Sequence, residues 1–347
     1  MMQQGATVRG VTVLCDEVFL VRDRCRDVEV YDATSLHKLK RHLAVNDLFE
    51  PWDITSCHVA GCLYIADGGC RSADDVTAYG VHRVDVTGDG GTTKWSMKDW
   101  PTGVAIVDDD DDDDRRPRVL VTFAVIRRLR CFSTTGELVR EIHLPDDVIN
   151  PSHAVQVMTS FGGVRRKMFA VCHGWGSDHT TTNRLCIVDS RSGRVVRSYP
   201  PSPRRRRRPR EHGGDRGCPA LSAGGHRPGA GVSFPAHLAV DSDGCILLAD
   251  CNNRRVLIFD ASLRYARTLL EDGVHPDGFE CRLGRPDRLC LDERRARLYV
   301  NNSVDRSVTV VGVTAAAAKV RRLRRRMVED VVDTLDRRRG LPRLAWL

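Results

Sequence analysis

Two histidines and two aspartates stand at matching places in similar stretches of this sequence. They are His153, His237, Asp53 and Asp287, and each follows a proline by one or two residues. Imidazole nitrogens and carboxylate oxygens are ligands that zinc, manganese and iron use in proteins. If the four side chains face a common axis, they predict a divalent metal site and, with it, lyase or hydrolase chemistry.

The same residues have an ordinary structural explanation. A histidine or aspartate at the start of a strand is commonly satisfied by backbone groups or by water, without any metal. Glycine occupies the matching place in two further stretches, at Gly10 and Gly103. Metal binding is therefore one alternative for the candidate binding set of the axial channel, which consists of Asp53, Gly103, His153, His237 and Asp287.

Cysteine chemistry is poorly supported by the spacing of the 13 cysteines. No two of them form a Cys-x-x-Cys pair, the short ligand spacing with which zinc fingers and RING modules surround one ion. Cys186 lies in the apolar run 185–188, as expected for a reduced thiol that packs as a small hydrophobe. Cys172 beside His173 does not predict a nucleophile and its base, because sequence neighbours lack the geometry that such a pair requires.

The net charge of +8 does not by itself predict nucleic acid binding. Much of the excess lies in the arginine run Arg204–Arg208 and in a basic tail at 321–326, while Asp108–Asp114 form an opposing acidic run. Such blocks are usually solvated segments outside the packed core. RNA binding stays an alternative, and DNA binding is not predicted.

Hydrophobic residues make up 41% of the chain, but no apolar run approaches the roughly 20 residues that span a bilayer. Residues 1–5 do not begin a signal peptide, which would place a basic segment before an apolar one. We therefore expect no membrane segment and a cytoplasmic or nuclear location.

The elements that would position the candidate residues form an internal repeat. In the clearest copy, Phe234–Asp260, the apolar run Leu238–Val240 leads through a turn at Gly244 to a second run, Ile246–Ala249, and then to a third strand. Five other stretches follow the same order, with a period of about 50 residues. One longer interval contains the Pro-, Arg- and Gly-rich segment 200–231, which we predict to be a disordered insertion.

This clearest copy resembles an NHL repeat. It has an aromatic residue before proline at Phe234-Pro235, the strand Leu238-Ala239-Val240-Asp241, a strand end at Ala249-Asp250 and a third strand ending in Phe259-Asp260. The likeness covers most of residues 8–313 and is most specific in Phe234–Asp260. It implies an all-β fold, a six-bladed β-propeller, in which closing the ring removes exposed sheet edges.

On this resemblance, the propeller spans residues 8–313 and a basic helical tail follows at 314–347. The tail carries apolar residues at three- and four-residue steps, which is typical of an amphipathic helix. The six blades are expected near residues 8–43, 50–95, 100–144, 150–199, 233–270 and 284–313.

The resemblance also implies an arginine near the start of the third strand of each blade. We interpret these arginines mainly as structural, because each could pair with the aspartate that ends the preceding strand, as Arg255 could with Asp250. The position is assigned to Arg83, Arg128, Arg184, Arg255 and Arg306.

NHL propellers dock proteins or, in some members, single-stranded RNA, so the resemblance implies a binding role. RNA recognition uses exposed aromatic side chains for base stacking, and only 6% of these residues are aromatic. A protein partner is therefore the leading expectation, with no cofactor apart from a divalent metal if the axial set binds one. The sequence contains no RING, B-box or coiled coil, so a role in ubiquitin ligation would need the catalytic module on another polypeptide.

Overall fold

A computed structural model of the chain describes residues 6–35, 38–69, 79–86, 91–108, 116–161, 164–174, 183–200, 231–264, 266–274 and 280–312. These residues form five four-stranded antiparallel sheets and one three-stranded sheet, each built from consecutive strands. The sheets are the blades of a six-bladed β-propeller, so the predicted fold class is confirmed. The predicted insertion at 200–231 and the predicted helical tail at 314–347 lie outside the described residues, apart from the positions that flank the insertion.

Blade one consists of β1 (Val8–Leu14), β2 (Glu17–Arg22), β3 (Asp27–Asp32) and β4 (Leu39–Ala44). Blade two consists of β5 (Pro51–Cys57), β6 (Cys62–Asp67), β7 (Tyr79–Asp85) and β8 (Thr92–Met97). Blade three consists of β9 (Pro101–Asp108), β10 (Pro117–Phe123), β11 (Arg128–Phe132) and β12 (Leu138–His143).

Blade four consists of β13 (Pro151–Phe161), β14 (Val164–His173), β15 (Arg184–Asp189) and β16 (Val195–Tyr199). Blade five consists of β17 (Pro235–Val240), β18 (Ile246–Asp250), β19 (Arg255–Phe259) and β20 (Ala266–Glu271), with a short 3-10 helix at Cys251–Asn253. A small hairpin of β21 (Gly273–Val274) and β22 (Glu280–Cys281) precedes blade six, which consists of β23 (Pro286–Asp292), β24 (Arg297–Asn302) and β25 (Ser307–Gly312).

Burial along each blade falls from the inner strands to the outer strand. Every residue of β6 and of β18 is buried, because these strands are covered on both faces by the neighbouring blades. The outer strand β4 is instead exposed or half-buried throughout. The second apolar run of the clearest repeat, Ile246–Ala249, therefore lies in the second strand of its blade, and the core lies between blades.

The ring closes through side chains where blade six meets blade one. The Asn301 side-chain amide donates a hydrogen bond to the Val8 carbonyl at 2.7 Å, although the two residues stand at opposite ends of the described chain. Val8 and Leu20 also pack with Tyr299 and Val308 in one buried cluster. The inner strands β1, β5, β9, β13, β17 and β23 each contact the next around the axis. Within the described residues, no helix has the length and apolar character required to cross a membrane.

Candidate functional site

The first residues of the inner strands form two rings around the axis. In all six blades the pairing register slips by one residue between the first and third residues of the inner strand, for example between Pro151 and His153. Such a bulge re-aims the side chains that follow. The residues one step after the strand start surround the mouth of the channel and are Arg9, Trp52, Thr102, Ser152, Ala236 and Asp287.

The register corrects one residue of the sequence alignment. Asp53, His153 and His237 each pair with the residue just before the end of the second strand, and in blade six Arg288 takes this place, opposite Asn301. Asp287 lies one step earlier, in the ring at the mouth. Because all these strands open with a proline, counting two residues from Pro286 would have identified Arg288. The deeper ring therefore consists of Gly10, Asp53, Gly103, His153, His237 and Arg288.

Three of the predicted residues meet in the channel as a buried cluster. The ligand atoms of Asp53, His153 and His237 lie within 4.8 Å of one another. The Nε2 atoms of the two histidines are each 3.4 Å from a different oxygen of the Asp53 carboxylate. Their imidazole rings are stacked, with centroids 3.8 Å apart. The structure thus places the two predicted histidines together with one of the two predicted aspartates.

Arg288 supplies the positive charge of this cluster. Its Nε is 3.6 Å from Asp53 Oδ1, and both groups are buried. The guanidinium also donates two hydrogen bonds to the Trp52 carbonyl, at 2.9 and 3.2 Å, and one to the Asp287 carboxylate at 3.0 Å. The opposite oxygen of Asp53 accepts the Val104 N–H at 2.9 Å. The charges and hydrogen-bonding groups of Asp53 and Arg288 are therefore paired with groups of the neighbouring blades.

The hydrogen bonds also fix where the ring protons lie. The Nδ1 of His237 accepts the Leu289 N–H at 3.3 Å, so the ring proton stands on Nε2 and faces Asp53. The Nε2 of His153 faces two acceptors, the Asp53 carboxylate and the Val104 carbonyl at 3.4 Å, and is likewise the protonated nitrogen. Both histidines therefore direct an N–H group, and not a lone pair, at the carboxylate.

This proton arrangement does not suit a metal. A metal-bound histidine coordinates through a lone pair and donates its other N–H to an acceptor. Here the second nitrogen of His237 faces a backbone N–H, and a guanidinium already neutralises the carboxylate. The distance of 3.4 Å between the Asp53 carboxylate and each imidazole would allow the three side chains to bind one metal ion. The histidines would first have to move their ring protons to the other nitrogen, and Arg288 would have to leave Asp53.

Burial governs the titration of the cluster. Burial, reinforced by the neighbouring His237, lowers the pKa of His153 to about 3, so this imidazole is neutral at physiological pH. Burial alone would raise the pKa of Asp53, but His237, His153 and Arg288 outweigh it and lower that pKa to about 2. The cluster thus holds one carboxylate against one guanidinium, with a neutral His153 beside them.

Gly103 is required where β9 passes β13. A Cβ on this residue would lie 2.8 Å from His153 Cδ2 and 2.9 Å from the Ser152 carbonyl. We expect Gly103→Ala to lower the free energy of unfolding by about 1–3 kcal/mol, because overpacking forces the inner strands apart. Gly312→Ala is the matched control, since nothing lies within 4 Å of its added Cβ. Equal thermal midpoints for the two variants would contradict the expectation.

The mouth above the cluster is a cavity of about 190 Å³ with a cationic lining. Arg9, Arg285 and Arg288 face it together with a single acid, Asp287. The Arg9 guanidinium lies 4.7 Å from the centroid of the Trp52 ring, which holds it in place beside the opening. Arg285 is exposed and contacts the Asn252 side chain. The mouth is therefore preformed and open to solvent.

No protein-family model and no curated protein sequence matches this chain. Among solved structures, a protein of unknown function from Bacteroides thetaiotaomicron is similar with a TM-score of 0.58 and 11% identity, over 88% of this chain and 69% of that one. Hydrazine synthase from Kuenenia stuttgartiensis gives 0.53 and 16%, over 90% and 97%. A streptogramin B lyase gives 0.51 and 9%, over 88% and 93%. At these identities the likeness supports the fold alone, and membership of the NHL family stays a resemblance.

The repeat arginines occupy more than one structural position. Arg255 pairs with Asp250 across β18 and β19, and its Nε donates to that carboxylate at 2.7 Å, as the sequence suggested. Arg128 and Arg184 hold the equivalent register opposite the end of the second strand. Arg83 and Arg306 do not, because Gly80 and Ser307 stand there.

Blade two replaces the missing arginine by a histidine. His82 lies two residues after Gly80 on the same face, and its Nε2 is 3.0 Å from the buried Asp67 carboxylate. The other oxygen of Asp67 accepts the N–H groups of Glu50 and Gly69. Asp67 and Asp250 thus perform the same task, because each ties the end of a second strand to the loop that enters the blade.

A cysteine and a histidine do meet in blade four, but not the pair that is adjacent in sequence. His173 Nε2 lies 3.2 Å from Cys186 Sγ on the neighbouring strand. Burial lowers the pKa of His173 to about 4 and raises the pKa of Cys186 to about 12. A nucleophile needs a thiolate and a base that can take its proton. This pair therefore packs the blade and is not poised for catalysis.

Proposed function

We propose that this chain is a non-enzymatic docking propeller, which binds a protein partner at the mouth of its axial channel. The observation that carries the proposal is the filling of the channel by the Asp53–Arg288 ion pair. An enzyme needs an unsatisfied group directed at its substrate. Asp53, His237 and Arg288 are directed at one another or at the backbone, and the unpaired Nδ1 of His153 is buried. The groups left accessible are those of the mouth.

The chemistry of the mouth favours an acidic segment of the partner. Arg9, Arg285, Arg288 and Asp287 line the opening. Arg9 is paired with Asp23, and buried Arg288 with Asp53 and Asp287, so the exposed Arg285 is the cation placed to bind a carboxylate through its guanidinium fork. The volume of about 190 Å³ suits a single inserted side chain. We expect this side chain to anchor the partner in the pocket, while the loops around the mouth make the remaining contacts.

RNA binding is the weaker alternative. Within the residues whose burial is described, no aromatic side chain stands fully exposed, and Trp52 and Trp100 pack edge to face with centroids 4.9 Å apart. Sequence-tolerant RNA binding needs aromatic faces open to bases. A partner engaged in ubiquitin ligation fits the proposal if another polypeptide carries the catalytic module, and we expect the encounter in the cytoplasm or nucleus.

Affinity capture with two charge-reversal variants tests the proposal. Arg285→Glu places a negative charge at the mouth and should lower recovery of direct partners at least tenfold, because it repels an acidic segment. Arg294→Glu makes the same change in the exposed turn between β23 and β24, on the opposite rim of the same blade, and should leave recovery unchanged. Capture is repeated after nuclease treatment, which should have no effect.

Three outcomes would contradict the proposal. Partners lost on nuclease treatment would favour the RNA alternative. A stoichiometric transition metal in the purified protein, lost in a variant carrying His153→Ala and His237→Ala, would favour the metal-dependent lyase or hydrolase. Equal loss of partners in Arg285→Glu and Arg294→Glu would place the docking surface away from the mouth.

A further inference from the structure

Cys57 and Cys62 face each other across the hairpin that joins the first two strands of blade two. They are a directly opposed pair in the register of β5 and β6, separated by the turn 58–61. Opposed residues of antiparallel strands have Cα atoms about 4.5–5.5 Å apart, within the range that a disulfide bridges. Both thiols are free and hydrogen-bonded to one another. The spacing of the backbone at Cys57 and Cys62 thus suits a disulfide between them.

The surroundings make the two sulfurs chemically unequal. The Cys57 sulfur accepts hydrogen bonds from the backbone N–H groups of Val59 and Ala60 as well as from Cys62. The bond from Cys62, opposed by burial and helped by the two N–H groups, lowers the pKa of Cys57 to about 6. The pKa of Cys62 is raised, first by that same bond and then by burial. Cys57 is accordingly the thiolate, and Cys62 keeps its proton.

The basic side chain Arg83 completes this arrangement. It stands on β7 opposite Tyr64, and its guanidinium acts to lower the pKa of Cys62 against the two larger effects. Its Nη2 also contacts Asp85 at 2.7 Å, which holds the guanidinium beside the hairpin. A neighbouring cation supports a thiolate as it forms on Cys62 during the second step of an oxidation. Arg83 was assigned to the repeat arginines from the sequence, but its position beside the hairpin gives it a different structural role.

Access is through the turn. The sulfurs are buried, whereas Val59 is 84% exposed and His58 is exposed as well. Four residues span the turn, so a small opening brings a molecule of the size of hydrogen peroxide to Cys57. The other buried cysteines of the chain that the structure describes lack this combination of an opposed thiol, two backbone donors and an exposed turn.

We propose that Cys57 and Cys62 form a reversible redox site, in which a peroxide converts the dithiol to a cross-strand disulfide. The Cys57 thiolate attacks one peroxide oxygen, the O–O bond breaks and the departing hydroxide takes a proton to become water. Cys62 then attacks the sulfur of the resulting sulfenic acid, and the S–O bond breaks with release of a second water. Two thiols are oxidised and one peroxide is reduced, and a dithiol reductant reverses the change. The site is independent of docking at the mouth.

Mass spectrometry of the full chain tests this site. The protein is treated with hydrogen peroxide, unfolded, alkylated with N-ethylmaleimide and digested with trypsin, and the peptide 42–71 is analysed by fragmentation. We expect most of this peptide to lose two hydrogens between Cys57 and Cys62 while Cys70, in the same peptide, carries the maleimide. Treatment with dithiothreitol should restore both thiols.

Serine variants separate the two roles. In Cys62→Ser the oxidation should stop at a sulfenic acid on Cys57, which dimedone traps, whereas in Cys57→Ser the remaining Cys62 should stay reduced. Buried Cys131, whose cross-strand neighbours are Leu120 and Arg140, is the internal control and should stay alkylatable. The proposal is overturned if both thiols of the pair survive a dose that oxidises exposed Cys15, or if Cys57 links elsewhere.

Discussion

Replacing Arg288 with methionine should lower the free energy of unfolding by about 3–5 kcal/mol, the usual cost of leaving one member of a buried ion pair alone. The change removes the guanidinium that lies 3.6 Å from Asp53 Oδ1 and leaves a buried carboxylate without its countercharge. It also removes the donors to the Trp52 carbonyl. Urea unfolding followed by circular dichroism measures the loss.

A matched control and a double variant show whether the charge is responsible. Arg294→Met changes an exposed arginine of the same blade and should stay within about 0.5 kcal/mol of the parent protein. Combining Arg288→Met with Asp53→Asn should cost less than the two single changes added together, because the second change removes the orphaned charge. Additive losses would mean that packing, and not the ion pair, explains the effect. If the cluster instead binds a metal ion, removal of the competing Arg288 guanidinium should raise the free energy of unfolding.

The protein should also lose stability steeply between pH 6.5 and pH 4. His153 and His173 have folded pKa values lowered to about 3 and about 4 by burial, against an ordinary value of 6.5. Below pH 6.5 the unfolded chain therefore binds two protons that the folded chain refuses, so stability falls as the pH falls. Each group contributes about 1.4 kcal/mol per pH unit, so the two together give a slope of about 3 kcal/mol per pH unit.

Urea unfolding at a series of pH values measures this slope. His153→Gln should remove about half of it between pH 6.5 and pH 4, because glutamine does not titrate there. Asp53 adds to the loss of stability only below pH 3.8. Its folded pKa is lowered to about 2, so its stabilising charge is fully present above pH 3.8 and is lost as the pH falls towards 2. A parent protein of constant stability across this interval, or an unchanged slope in His153→Gln, would be inconsistent with neutral buried histidines.

The polar groups on the axis of the channel are engaged with other groups of the protein. Asp53 and the two histidines are each directed at another protein group, and the neighbouring blades are held in register by these contacts. Thr102 and Ser152 act similarly in the ring above, since each hydroxyl bonds a carbonyl of the following blade, at 3.3 and 2.9 Å. Polar groups on the axis thus stabilise the ring by joining neighbouring blades.

Strand order and blade number could be predicted from the sequence because both depend on short-range patterns. Local structure is determined within a few residues by the run Ile246–Ala249, by the turn at Gly244 and by the proline that opens five of the six inner strands. Repetition of the pattern then implies a ring, since a blade needs neighbours on both faces. The meeting of His153 with His237 followed from the same reasoning, because equivalent positions of a ring face one axis.

The role of the last member of that ring depended on the three-dimensional structure. Arg288 stands two residues after Pro286, the place that Asp53 and His153 hold after their own prolines, so its position could have been counted from the sequence. Only the structure shows that Arg288 faces Asp53 and that a cation therefore stands where a ligand was expected. Arg288 also bonds Trp52, 236 residues away, a contact that exists only once blade six has closed against the rest of the ring. Ring closure is a property of the whole assembly, and no local pattern of residues encodes it.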